Sequence, residues 1–216
     1  MLAGNFLSVG VVAGLSIGVA AVMTFAGSWW IDRLYRTSEE LTFPQKISSR
    51  SKVRRPILFC AFTGLSWYIL LTMGTPEKFF MLAAIFLLML MTMTDFEQYM
   101  LFDAMTLPLA IIGAVFVWQM GLDVRDHVLA ATIGGGIFLL LAILSKGSIG
   151  GGDVKLVAAL GLWLGCEQLL SVVLTATICG GLAALLMLLA KKKDRKSYFA
   201  YGPYFAFAAI YALLTR

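Results

Sequence analysis

A chain of 216 residues that is 60% hydrophobic and only 13% charged is not an ordinary soluble domain, because such domains carry about 45–50% apolar and about 25% charged residues. Its mean hydropathy of +0.89 leaves more apolar surface than a water-facing globule can hide, so a lipid bilayer is the expected solvent. The net charge of +5 comes from 17 Lys and Arg against 12 Asp and Glu; the basic residues sit in loops between apolar runs, where they orient a membrane protein, and no nucleic-acid partner is expected.

The first thirty residues lack the basic start of a cleaved signal peptide, and their apolar run is too long for one. They read as a retained first span. Apolar runs follow at about 5–29, 57–73, 79–94, 104–120, 128–144, 154–165, 168–190 and 198–214. A spanning helix needs roughly 20 apolar residues, so the expected fold is all-α: a polytopic integral membrane protein with about eight transmembrane helices, forming one membrane-embedded domain over residues 1–216. The run from 154 is short and follows a Gly-rich turn, and irregular backbone is tolerated at membrane depth only where protein or a water-filled cavity satisfies it. The one extended polar stretch, 37–56, is expected to be a flexible or short amphipathic loop whose basic end can rest on anionic headgroups. Cys60, Cys166 and Cys179 are scattered, with no CxxC pair, and are expected to be small buried hydrophobes rather than metal ligands or disulfide partners.

The basic residues test this layout. Seven lie in the loop near 30–56 (Arg33, Arg36, Lys46, Arg50, Lys52, Arg54, Arg55), two in the turn near 145–155 (Lys146, Lys155) and five near 191–197 (Lys191, Lys192, Lys193, Arg195, Lys196). Only Lys78, Arg125 and Arg216 fall on the other side. Eight spans with both termini outside therefore place the basic loops in the cytoplasm.

Most carboxylates are expected to be solvated in loops: Asp32, Glu39, Glu40, Glu77, Asp123, Asp126, Glu167 and Asp194. Asp95, Glu97, Asp103 and Asp153 instead flank the cytoplasmic mouths of spans. Asp95 ends the run FFMLAAIFLLMLMTMT, and an ionisable group against an apolar span is a functional candidate by default. Asp153 follows Gly150, Gly151 and Gly152 at a helix start, where glycines let a substrate backbone approach closely. Two facing carboxylates suit amide hydrolysis: one takes a proton from the attacking water and the other donates to the carbonyl or leaving group. Charges in contact resist joint ionisation, so such a pair shares one proton. Read singly, Asp153 is as readily a helix cap and the Gly triplet a turn. The single histidine, His127, is expected in a loop on the opposite side, away from any Ser-His-Asp chemistry.

These segments resemble the type IV prepilin peptidase family, the GxGD-type membrane aspartyl proteases. MTDFEQYMLFDAMTLPLAIIGAVF is similar to the family's aspartate segment leading into a TLP-type helix start. In GGGDVKLVAALGLWLG, Gly150, Gly152 and Asp153 supply GxGD, followed by Lys155, and YGPYFAFAAIY at 201–211 is similar to its terminal Gly-Pro span. The resemblance covers roughly 50–216 and implies an endopeptidase of the inner (cytoplasmic) membrane. It would remove the basic leader from prepilins or pseudopilins, after a Gly, at the cytoplasmic face. Asp95 and Asp153 would be its catalytic pair, and Gly150, Gly151, Gly152 and Lys155 its substrate contacts. Proteolysis would need neither metal nor cofactor. Asp103 competes with Asp95 for the first role, although it is also placed to cap the helix beginning near Ala104. Helix dipoles lean Asp153 towards base and Asp95 towards acid. Lys155 is placed to bias the pair, to meet an acidic group on the substrate, or only to mark topology.

One departure concerns a second activity. Many family members also methylate the new N-terminus with S-adenosylmethionine and carry two CxxC pairs in the first cytoplasmic loop. Residues 30–56 contain no cysteine, so a zinc-stabilised subdomain is not expected there and methyl transfer stays open. Two readings of another class also stand: a small proton- or cation-coupled transporter using the Asp pair, and a non-catalytic pilus-assembly subunit.

Overall fold

A computed structural model describes residues 2–38, 41–145, 149–190 and 200–216, with side chains from residue 10 onward. Lys146, the Glu39–Glu40 pair, and the basic loop at 191–197 with its Asp194 lie outside the described residues. Among those described there is no strand. The helices are α1 (Leu2–Thr37), α2 (Ile47–Arg50, preceded by the 3₁₀ turn Pro44–Lys46), α3 (Arg54–Thr72), α4 (Glu77–Gln98), α5 (Asp103–Gln119), α6 (Val124–Leu144), α7 (Gly151–Leu189) and α8 (Gly202–Leu214). Five of them (α1, α3, α4, α6 and α7) are long and apolar enough to cross a membrane, whereas α5 and α8 are shorter apolar helices. The chain is thus an all-helical, multi-pass membrane protein. The basic loop expected near 30–56 is shorter than that, because α1 continues to Thr37 and carries Arg33 and Arg36 as helical residues.

The chain divides into two compact units, Met1–Leu90 and Met91–Arg216, with the boundary inside α4. In the first, α1 packs along α3. Arg54 is only 2% exposed; its guanidinium donates to the Asp32 carboxylate at 2.7 Å and to the Ser28 carbonyl at 3.3 Å. Asp32, expected in a solvated loop, is therefore a helical residue holding a buried cation. A charge withdrawn from water requires such a partner.

In the second unit α7 is central, with α5, α6 and α8 packed against it. The α6–α7 crossing is a backbone-to-backbone approach: a Cβ on Gly161 would lie 2.5 Å from the Ala131 nitrogen. Small residues at such crossings let helices pack by dispersion where lipid removes the hydrophobic drive. Because the obstructing atoms are backbone, Gly161→Ala is expected to cost about 1–3 kcal/mol through overpacking. Its thermal midpoint in detergent should fall by several degrees, whereas Gly181→Ala, with open space at its Cβ, should leave the midpoint in place. Equal midpoints would refute the close crossing. Trp163 anchors α5 to α7: its indole is fully buried, donates to the Leu109 carbonyl at 2.8 Å and stacks on Phe116 with centroids 5.1 Å apart.

α7 is broken at Gly165, whose φ of 74° and ψ of 178° are not helical. The expected runs 154–165 and 168–190 are its two arms. A break frees backbone groups that lipid cannot satisfy, and here side chains take them over. His127 Nδ1 bonds the Leu162 carbonyl at 3.0 Å, Arg216 donates to the Trp163 carbonyl at 3.1 Å, and the Cys166 N–H donates to Asp126 Oδ2 at 3.1 Å. Two expectations are corrected. His127 and Asp126 are not loop residues: both lie in the first turn of α6, which Asp123 caps by accepting from the Arg125 N–H at 3.0 Å. His127 is 4% exposed, held by the broken helix. The cysteines are corrected too, since Cys60, Cys166 and Cys179 are all exposed on their helices; a thiol tolerates a lipid-facing position because it behaves as a small hydrophobe.

Candidate active site

Asp95 sits in the last turn of α4, 6% exposed. That helix stops because Tyr99 takes a left-handed conformation, φ 54°, while its N–H closes on the Asp95 carbonyl at 2.9 Å. A left-handed residue just past a helix is a common terminator, though usually a glycine, and a tyrosine there is uncommon. The chain then runs through Leu101 into α5, which starts at Asp103.

Asp153 is supplied by the glycine turn. Gly150, extended at φ −69° and ψ 143°, caps α7. The Asp153 N–H returns to the Gly150 carbonyl at 3.0 Å, and the Asp153 carboxylate takes a backbone hydrogen bond from Gly150. This is a capping-box arrangement: Asp153 is the third helical residue and reaches back, rather than being the cap itself. Its side chain is half-buried.

Two further residues draw these carboxylates into one site. The first N–H of α8, on Gly202, donates to Asp95 Oδ2 at 2.8 Å. The opening N–H groups of a helix have no partner within it, and Pro203, next in line, gives up none by lacking its own. Leu101 is wedged between the other two elements. Its Cβ lies 2.8 Å from where a Gly152 Cβ would be, and its Cδ2 lies 3.2 Å from where a Gly202 Cβ would be. The α4–α5 connection, the glycine turn and the start of α8 therefore meet at one leucine, and Asp95 and Asp153 are within electrostatic reach of each other.

Asp103 is elsewhere occupied. Its carboxylate oxygens lie 2.7 and 2.6 Å from Lys155 Nζ, and both residues are exposed. It is the first helical residue of α5 and not its cap; Phe102 precedes the helix without a side-chain bond. The TLP segment accordingly lies inside α5, with Pro108 as an internal helical residue. Lys155 thus faces Asp103, and a pair this exposed contributes about 0–1 kcal/mol. Glu97, two residues beyond Asp95, is 3% exposed. Among the described residues no three His, Cys, Asp or Glu side chains gather to hold a metal ion.

The site defines a class: a helical membrane protein with two carboxylates, one presented by a glycine turn, brought together from separate helices. The type IV leader peptidase family model matches residues 81–185, which include both aspartates. Relatives described as prepilin leader peptidase/N-methyltransferase come from Escherichia coli (strain K12), 32% identical over 56% of this chain and 56% of theirs, and Neisseria gonorrhoeae, 35% over 52% and 40%. Another from Legionella pneumophila is 30% identical over 74% of this chain and 58% of its own. Over these residues the chain is similar to the type IV leader peptidase family. It spans about half the length of the curated relatives it matches. No solved structure matches it.

Proposed function

We propose that the chain is a membrane aspartyl endopeptidase that removes the leader from a prepilin or pseudopilin, with Asp95 and Asp153 as its acid–base pair. The observation that carries this reading is the meeting of two carboxylates 58 residues apart in sequence, one from the end of α4 and one from the glycine turn. In the reaction one carboxylate accepts a proton as water adds to the scissile carbonyl carbon. The other protonates the carbonyl oxygen, and proton return to the amide nitrogen then breaks the C–N bond. Helix dipoles do not divide these roles, because Asp95 closes α4 and also faces the N-terminus of α8. Gly150, which is extended, and Gly151 and Gly152, which open α7, offer main-chain groups to a substrate strand unwound from its helix. Lys155 joins that surface only by exchanging Asp103 for an acidic group on the substrate.

The same reading sets the protein in the bacterial inner membrane as one peptidase domain of eight crossings, with both termini outside and the site facing the cytoplasm; the distribution of Lys and Arg supports that orientation. The relatives' names also include N-methyltransferase. Methyl transfer from S-adenosylmethionine is the second reading, and it would proceed here without cysteines in residues 30–56. Co-expression with a prepilin tests the first: leader removal, seen as a mass loss with a new N-terminus, is the expected result. An uncut precursor beside a well-expressed, folded enzyme would reject it, as a transporter or a passive assembly subunit requires.

A further inference from the structure

The first unit carries a basic pocket of about 470 Å³ that takes no part in the proposed chemistry. It is lined by Trp29, Asp32, Arg33 and Arg36 of α1 and by Arg55 of α3, all outside the residues 81–185 that the family model matches. Two helices therefore bring three guanidinium groups to one opening. The carboxylate among them, Asp32, is already engaged, since its Oδ1 accepts from the buried Arg54 at 2.7 Å. Among the described residues no carboxylate pairs with Arg33, Arg36 or Arg55. Arg33 lies over the Trp29 ring, 5.5 Å from its centroid, and Arg55 over the Phe25 ring at 5.9 Å. A ring face attracts a cation and leaves its N–H donors available to oxygen acceptors.

The face of α1 leading to the pocket indicates which anion fits. Val22, Phe25, Trp29, Arg33 and Arg36 recur every three or four residues and so share a face. Val22, Phe25 and Trp29 are 69%, 63% and 62% exposed, and both arginines are exposed as well. Along this stripe the helix passes from aliphatic to aromatic to cationic, the order in which a phospholipid passes from acyl chain through its interface to its phosphate. Tryptophan favours the headgroup level, and an Arg fork matches phosphate oxygens two at a time. A free phosphate makes no use of the apolar part of the stripe. A zwitterionic headgroup brings an ammonium group, for which Asp32, held by Arg54, is no open partner. We propose that the pocket between the end of α1 and the start of α3 is a binding site for the phosphate of one anionic phospholipid, whose acyl chain lies along Phe25 and Val22. It differs from the general attraction of basic loops to a charged surface, because cations from two helices converge on one headgroup. The proposal stands independently of the peptidase reading.

Native mass spectrometry of the full chain in neutral detergent tests it, because single lipid molecules are then counted with no charged surface present. Phosphatidylglycerol is expected to bind the Arg33→Gln/Arg36→Gln/Arg55→Gln variant about 10²-fold more weakly than the parent, at about fivefold for each cation lost. The Lys46→Gln/Arg50→Gln/Lys52→Gln variant removes as many charges from the neighbouring segment outside the pocket and should bind as the parent does. Phosphatidylcholine should bind the parent weaker than phosphatidylglycerol by about tenfold or more, and excess inorganic phosphate should not displace the bound lipid. Equal losses in the two triple variants would overturn the proposal by reducing the pocket to general charge attraction. Equal affinity for phosphatidylcholine, or displacement by inorganic phosphate, would overturn the assignment to an anionic lipid. If the pocket triple variant fails to fold, Arg55→Gln alone, at an exposed position, should lose about fivefold, and parent-like binding there would count equally against the site.

Discussion

Asparagine at Asp95 or at Asp153 is expected to lower leader cleavage by about 10³-fold, the middle of the range for removing a positioned acid or base. Each change keeps the shape of the side chain and removes its ability to carry the proton. At Asp95 the amide oxygen can still accept the Gly202 N–H, and at Asp153 it can still accept from Gly150, so helix content and thermal midpoint should stay near those of the parent. The double variant should be little worse than either single one, because the two groups act as a unit. Asp103→Asn is the counterpart, since it meets only the exposed Lys155; its cleavage rate should stay within a few-fold of the parent. Rates measured on purified protein in detergent micelles decide the matter. Full activity in Asp95→Asn together with a dead Asp103→Asn would transfer the first catalytic role to Asp103.

Gly202→Ala is expected to be nearly as damaging, although it removes no chemical group. A Cβ there would lie 2.8 Å from Asp95 Oδ2 and 3.2 Å from the carboxylate carbon, closer than real Cβ atoms stand. Either the carboxylate swings away and loses the 2.8 Å bond from the Gly202 N–H, or α8 is pushed outward. An error of about 1 Å in a reacting group costs on the order of 10²-fold, and that is the expected fall in kcat. Alanine suits a helix better than glycine does, so stability in detergent should not drop by the same proportion. Gly136→Ala is the contrast, having open space at its Cβ; it should cleave at close to the parent rate. Parent-like activity in Gly202→Ala would mean that the bond to Asp95 does not position it.

Much of the architecture could be read from residues alone because lipid makes hydropathy a direct signal. The runs at 57–73, 79–94, 104–120 and 128–144 fall on α3 to α6, and the pair of runs at 154–165 and 168–190 falls on the two arms of α7. Asp95 and Asp153 stood out because a carboxylate beside an apolar run is rare. Gly202 did not: a helix-opening glycine in YGP carries no chemistry of its own, and only the fold brings its N–H to a carboxylate 107 residues away. Leu101 was equally silent, one leucine among many, whose place between two glycines depends on three distant segments. Arg54 looked like one more basic topology marker until α1 set Asp32 beside it. His127 misled through its neighbours: Asp123, Arg125 and Asp126 gave a polar stretch that reads as a loop, yet they form the capped first turn of α6.

The break at Gly165 has a mechanical consequence. A helix is stiff because each N–H is tied to the carbonyl four residues back, and at this point the tie between Cys166 and Leu162 is replaced on both sides, by Asp126 and by His127. Strain applied along the second arm of α7 cannot travel up an unbroken ladder to the arm that carries Asp153. It is shed instead into α6, whose first turn holds the joint. The second half of the rod can therefore shift or twist while the first half keeps its carboxylate still.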